Sequence, residues 1–416
     1  MNRPLLLRIL LAGLAVYTLV EFYPFSLSLY FIPHYVMALL CLVFLALYPG
    51  TRIVGAWNLK PALFLVFWLA FNLASYVWAR DNVEVLRYSL WILRYLVLFL
   101  IYSKVFTHEK YLRNFEWFLF GIVILYVATA IWEMVSFQHL GVSKHFGEFS
   151  YVPTGPFYGE NHLAAYLLLF SPFLLFMPKF AKPRGWAYLS AFIVLAVVVI
   201  MTVQGARIAM LAIGAFLLWF FLAQITWRRK FVLAAILALL FTGVYLRFKT
   251  EIRFISQILS YQTQTLGSER SSIYMSSIQI RQQLLKEAFD LAARTGFLGA
   301  GGGNFEPQMR SEAVYRTGGI VNPHNFLMEL FGNWGIVVLG AFVYLYLHWA
   351  LGLWRLYRRT KGKERTRYLM YLVSLLLFLP ASILPSTIRW QYFVWIYFAA
   401  VNAALHTKPS LQEVDA

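Results

Sequence analysis

The chain has 416 residues, 61% of them hydrophobic and 13% charged. Soluble domains carry roughly 25% charged residues, so a water-soluble globule is excluded. The formal net charge of +18 invites a nucleic-acid partner, but the placement of the cations explains them without one. A single cysteine, Cys41, lies inside an apolar run, which excludes an intrachain disulfide and any cysteine-based metal site.

Apolar runs of bilayer-crossing length recur at 5–21, 27–48, 61–78, 88–106, 115–137, 161–178, 186–204, 206–226, 230–247, 325–348, 368–386 and 389–406. The pattern predicts an all-α polytopic membrane protein, a bundle of about twelve transmembrane helices forming a single domain over 1–416. Arg3 and Arg8 beside apolar residues look like a signal peptide. No small-residue cleavage site follows, so the first run is expected to persist as a span. With the amino terminus cytoplasmic, the inner turns collect Arg52 and Lys60; Lys104, Lys110 and Arg113; Lys179, Lys182 and Arg184; Arg228, Arg229 and Lys230; and finally Arg355, Arg358, Arg359, Lys361, Lys363, Arg365 and Arg367. That is the positive-inside distribution, and it absorbs most of the net charge.

Residues 248–324 form the one long polar insertion, placed by this topology on the extracytoplasmic side. It carries Arg253, Arg270, Arg281, Arg294, Arg310 and Arg316. Loops this long cross largely regardless of charge, so its arginines need a reason of their own. Residues 276–294 read as a helix capped by Ser276 or Ser277. Gln279, Gln283, Lys286, Glu287, Asp290 and Arg294 share one side, and Ile278, Leu284, Leu285, Ala288 and Ala292 the other, with Arg281 amid the apolar set. Arg281 is therefore expected to point toward the bundle.

Several groups gather at the expected outer surface. Arg207 opens the eighth span, where an ionisable residue is costly and by default a functional candidate; the plainer reading is a snorkelling side chain. Two fixed guanidiniums suit a pyrophosphate, which accepts bidentate hydrogen bonds. The turn Gly299-Ala300-Gly301-Gly302-Gly303-Asn304 lacks the strand of a dinucleotide fingerprint. It is either an anion nest of backbone N–H groups or a joint for close helix docking. His324 stands where the chain re-enters the membrane and can serve as a base near neutral pH, although most lone histidines do no such thing. Asn325 follows it, and Glu329 either orients the ring or is a buried structural acid. Glu160, Asn161 and His162 at the sixth span, Arg389 between the last two, and Arg87 with Arg94 on the fourth either bind glycan or phosphate or serve packing. No metal-spaced histidine cluster occurs, so no catalytic metal or other cofactor is expected.

Three stretches together resemble the O-antigen ligase and polymerase superfamily of bacterial membrane glycosyltransferases. They are Thr154-Gly155-Pro156-Phe157-Tyr158-Gly159-Glu160-Asn161-His162-Leu163-Ala164-Ala165-Tyr166; Arg281 and Leu284 followed by Gly296-Phe297-Leu298-Gly299-Ala300-Gly301-Gly302-Gly303-Asn304-Phe305; and His324-Asn325 with Glu329, Gly332 and Gly335. The likeness covers roughly 150–345. It implies a metal-independent, inverting transfer of glycan from undecaprenyl pyrophosphate to an acceptor hydroxyl, on the outer side of the bacterial inner membrane. Arg207 and Arg281 would hold the pyrophosphate and stabilise it as it leaves; His324 would activate the acceptor. The substrate-binding set would comprise Glu160, Asn161, Gly301, Gly303, Asn304, Asn325, Glu329 and Arg389. One departure touches Arg207: Ala206 stands where the family often has serine.

The expected acceptor is lipid A–core, as for an O-antigen ligase. The alternative is a polymerase acting on lipid-linked repeat units for surface polysaccharide or teichuronic acid. A flippase for an anionic lipid would also want arginines around a cavity, but would be expected to show inverted repeats. A scaffold gives Arg207, Arg281 and His324 no reason to gather. Membrane lipids are expected neighbours, and nucleic acid is not.

Overall fold

The computed structural model describes residues 3–22, 55–140, 143–145, 151–180, 185–224, 277–385 and 393–406. The runs at 27–48 and 230–247, and the residues Arg253, Arg270 and Arg389, lie outside them. The described residues are helical without strands. In chain order the helices are α1 (Arg3–Phe22), α2 (Leu59–Ala74, extended by a turn at Ser75–Val77), α3 (Asn82–Val105), α4 (Glu109–Ser136), α5 (Glu160–Phe176), α6 (Gly185–Val203), α7 (Arg207–Gln224), α8 (Ser277–Arg294), α9 (Phe305–Glu312), α10 (Phe326–Arg359), α11 (Gly362–Ala381) and α12 (Phe393–His406). Among the described residues, six helices are long and apolar enough to cross a membrane. The fold is that of an all-α polytopic membrane protein.

The runs at 186–204 and 206–226, separated by little sequence, are two helices. Gly205 adopts φ +64°, and the turn Gln204–Ala206 reverses the chain. α5 is the most enclosed span, buried on nearly every side from Leu163 to Phe176 and packed against α4, α6, α7 and α11. Its sequence is apolar all round, which is what a central helix requires. A second centre joins α2, α3, α10 and α12: Trp68 meets Trp334 edge-on at 5.0 Å and Tyr95 stacks on Trp395 at 5.7 Å. Asn72 sits fully buried beside it. It donates to Val85 O and Ser89 Oγ and accepts from Trp334 Nε1 at 2.7 Å, so its polar atoms cost nothing unsatisfied.

The bundle has two chemically different ends. At one, Arg367 of α11 bonds Glu116 of α4 at 2.6 Å and faces Glu109 at 3.6 Å, and Lys60 of α2 meets His348 of α10 at 3.4 Å. The basic clusters Lys110–Arg113 and Arg355–Arg367 belong to helix termini at this end. At the other end, the last turns of α2, α4, α6 and α11 meet the first turns of α3, α5, α7 and α10. Phe326 N of α10 donates to Ser382 O after α11 at 3.0 Å, and Gln204 Nε2 before α7 donates to Pro153 O before α5 at 2.8 Å. α8, α9 and the glycine turn cap this second end. On the spans themselves, Arg94 pairs with Glu21 and bonds Tyr17 at 2.7 Å, while Arg87 pairs with Glu84. Both arginines have packing partners.

Candidate functional site

α8 runs as expected, but its buried face is turned relative to the sequence reading. Leu284, Glu287, Ala288, Leu291 and Ala292 are buried; Leu285 and Phe289 are exposed. Glu287, placed on the wet side by periodicity, is buried because its carboxylate accepts the backbone N–H of Tyr315. That contact ties α8 to the segment leading into α10. Arg281 is half-buried, as a residue three and seven positions from Leu284 and Ala288 should be. Burial lowers its proton affinity below the usual guanidinium range. Among the described residues it has no carboxylate partner.

The glycine turn is a joint. The N–H groups of Gly299, Ala300, Gly301, Gly302 and Asn304 go to Thr295 Oγ1, Gly332 O, Asn333 O, Ser75 Oγ and Gly301 O. They are therefore spent within the protein, and the geometry supports docking over an anion nest. A Cβ on Gly302 would stand 1.8 Å from Asn72 Oδ1. Asn304 is fully buried; it accepts from Asp81 N at 2.6 Å and donates to Asp81 O and Gly302 O. α10 is broken where this turn lies against it. Gly335 takes φ +68° and ψ −165°, and Ile336 N donates to Phe297 O at 3.0 Å. The break leaves a short first segment, Phe326 to Trp334, clamped to the cap. Irregular backbone survives at such a place because neighbouring protein satisfies it.

Asn325 caps this segment, its Oδ1 accepting from Leu327 N at 3.0 Å and Met328 N at 3.4 Å. Glu329 is buried in the first turn. His324, just before the cap, has φ +48°, a left-handed conformation that costs a non-glycine residue energy. Strain of this kind points to function when the surroundings hold it in place. Its Nδ1 is buried without a hydrogen-bond partner among the described residues. Burial, then the positive charges of Arg281 and Lys144, push the imidazole down to about 4. His324 is thus neutral at physiological pH and flanked by two cations from different parts of the chain.

Across from it stands the amino end of α5. Glu160 is bonded by Lys144 Nζ at 2.6 Å and His145 Nε2 at 2.9 Å. His162 lies within electrostatic reach of Glu160, Lys144 and His324. The structure therefore brings Glu160, His162, Arg281 and His324 together, with Asn161 on the same turn of α5. It adds Lys144 and His145, which sequence reasoning passed over. The signal was present: Lys144 is the one Lys or Arg between Phe137 and Glu160, on a side whose short loops are otherwise poor in them. Arg207 is exposed at the same end, its turn anchored to Pro153 by Gln204.

The strand of chain before α5 is held by a buried carboxylate. Glu133 accepts from Thr154 N at 2.7 Å and Gly155 N at 2.8 Å, and faces His139 Nδ1 at 3.6 Å. Glu133→Gln would turn an amide donor toward N–H groups. We expect a loss of about 2 kcal/mol, read as a lower melting temperature of the solubilised protein, with proteolysis sites appearing first near 151–159. Among the described residues, no group of three or more His, Cys, Asp or Glu converges to hold a metal ion.

A family model described as O-Antigen ligase matches residues 199–343, from the end of α6 past the break in α10. Over 354 residues, 83% of this chain and 71% of the relative, the sequence is 26% identical to the teichuronic acid biosynthesis protein TuaE of Bacillus subtilis (strain 168). The matched region contains Arg207, Arg281, the glycine turn and His324, and the two likenesses together support a resemblance to the O-antigen ligase and polymerase superfamily.

Proposed function

We propose that the protein transfers a glycan from undecaprenyl pyrophosphate to an acceptor hydroxyl, at the extracytoplasmic edge of a bacterial inner membrane. The observation that carries this reading is the neutral His324, strained at φ +48° and acted on by the charges of Arg281 and Lys144. The acceptor oxygen attacks the anomeric carbon from the face opposite the pyrophosphate. The carbon–oxygen bond to the pyrophosphate breaks, its electron pair leaves with the diphosphate, and the hydroxyl proton passes to His324 Nδ1. Arg281 and Arg207 hold the departing charge, the kind of preorganised stabilisation that supplies much of an enzyme's rate. No step requires a metal.

The same cations make His324 a weak base in the empty site and a stronger one when the donor is bound. A diphosphate offsets the positive charge of Arg281 and Lys144, so protonating the imidazole becomes easier when a proton has to be taken.

Two acceptors fit: lipid A–core, as for a ligase, or a second carrier-linked glycan, as for a polymerase. The likeness to a teichuronic acid biosynthesis protein fits the polymerase as well as the O-antigen ligase likeness fits the ligase. Reconstitution with an undecaprenyl-pyrophosphate glycan and each acceptor decides between them: a polymerase yields a ladder, a ligase a single addition. Transfer should persist in EDTA; its loss there would refute the metal-free route. Arg281→Gln should raise KM for the donor and lower kcat together, about a hundred-fold in kcat/KM. Movement of the glycolipid across the bilayer with no bond cleaved would identify a flippase instead.

A further inference from the structure

A second set of residues acts on His324, and it lies outside residues 199–343 that the family model matches. It is built on the amino end of α5. Gly159 marks its centre: a Cβ there would stand 3.7 Å from His162 Nδ1 and 3.7 Å from Cδ and Cε of Lys144. The lysine stem and the imidazole thus flank one point of backbone. His162 Nδ1 is buried and has no hydrogen-bond partner among the described residues, the same condition as His324 Nδ1. An orphaned buried nitrogen is costly, and here two such atoms belong to rings whose charges interact.

Lys144 is placed to change partners. Glu160, its ion-pair partner, is also held by His145, so the carboxylate stays bonded if the lysine swings away. The backbone beneath is fixed by Glu133 and by Lys144 N donating to Tyr158 O at 2.9 Å. The charges that act on the His324 imidazole, Arg281 and Lys144, are both positive. The groups that act on His324 are Arg281 from α8, Lys144 from the segment before α5 and His162 from α5 with Glu160 beside it, while Glu329 lies in the first turn of α10.

We propose that Lys144 and His162 form the second wall of the diphosphate site, Lys144 as a cationic contact opposite Arg281 and His162 as a hydrogen-bonding contact to the donor headgroup. The inference rests on the glycan-transfer reading and deepens it. Lys144 is 36% exposed beside its Glu160 partner, and His162 Nδ1 has no hydrogen-bond partner among the described residues.

The test uses the full chain in nanodiscs, binding undecaprenyl pyrophosphate and undecaprenyl phosphate, together with the pH profile of transfer. Wild type should prefer the diphosphate. Lys144→Gln and His162→Gln should each weaken diphosphate binding about ten-fold, the loss of one hydrogen bond to a charged group. Lys144→Arg should restore most of it. The pH profile supplies a readout that a merely structural role would not move. His324 acts when neutral, so activity falls as pH drops through its pKa. Removing the Lys144 charge raises that pKa from about 4 toward the ordinary histidine value, so Lys144→Gln should shift the acid limb upward and Lys144→Arg should not. If both Gln variants bind diphosphate like wild type while Arg281→Gln loses it, the second wall is wrong and the transfer reading stands. If wild type and Arg281→Gln alike fail to prefer diphosphate, the transfer reading falls and takes this inference with it.

Discussion

Replacing His324 with asparagine should lower the rate of glycan transfer by about 10²–10⁴, the usual contribution of a positioned general base, while leaving donor binding nearly unchanged. Asparagine is the informative choice because His324 sits at φ +48°. Asparagine tolerates the left-handed region better than most residues, so the chain entering α10 keeps its path and the Asn325 cap stays in place. The amide has no nitrogen able to take a proton. Loss of rate with retained binding would separate a base from a binding residue, since only the former acts chiefly in the transition state. His324→Ala should lose as much rate and some stability besides. A variant that keeps transfer within ten-fold of wild type would place the base elsewhere, and His162, within electrostatic reach of His324, is the first alternative to examine.

Much of this was legible in the sequence, for reasons that particular residues make plain. The span pattern declares itself because a helix in lipid must be apolar over its whole crossing length; even the narrow break at Gln204–Gly205 proved a real turn. Arg281 stands out in the sequence because a charged residue amid apolar spacing on a helix has to be accommodated by something. The face of α8 was misjudged at Glu287, whose burial depends on the backbone N–H of Tyr315, 28 residues away. Periodicity carries no record of such a partner. Lys144 was missed for a related reason: it belongs to an irregular segment with no period, and its meaning comes from Glu160, sixteen residues on, and from His324 much further along. The glycine turn shows the opposite limit. Its composition fits a nest and a joint equally well, and only the acceptors found for its N–H groups separate the two.

The break in α10 yields the second large effect, and a control within the same helix. Gly335 and Gly340 lie five residues apart. A Cβ at Gly335 would stand 1.9 Å from Phe297 O, on a backbone with φ +68°. A Cβ at Gly340 would meet nothing within 4 Å. Gly335→Ala therefore forces the cap away from the helix and adds left-handed strain, an expected cost of about 2–5 kcal/mol. Gly340→Ala should be neutral or stabilise by up to about 1 kcal/mol, as alanine does in a helix interior. The consequence for function follows from what the clamp holds. Ala300 N to Gly332 O, Gly301 N to Asn333 O and Ile336 N to Phe297 O fix the first segment of α10 to the cap, and that segment carries His324 at its head while the cap carries Arg281. Hydrogen exchange at the amides of Ala300, Gly301 and Ile336 should accelerate in Gly335→Ala and stay at wild-type rates in Gly340→Ala, with transfer lost in the first and kept in the second. Were Gly335→Ala to retain both protection and activity, the clamp would not be what aligns the base with the cation, and the spacing of His324 and Arg281 would have to be set by the rest of the bundle.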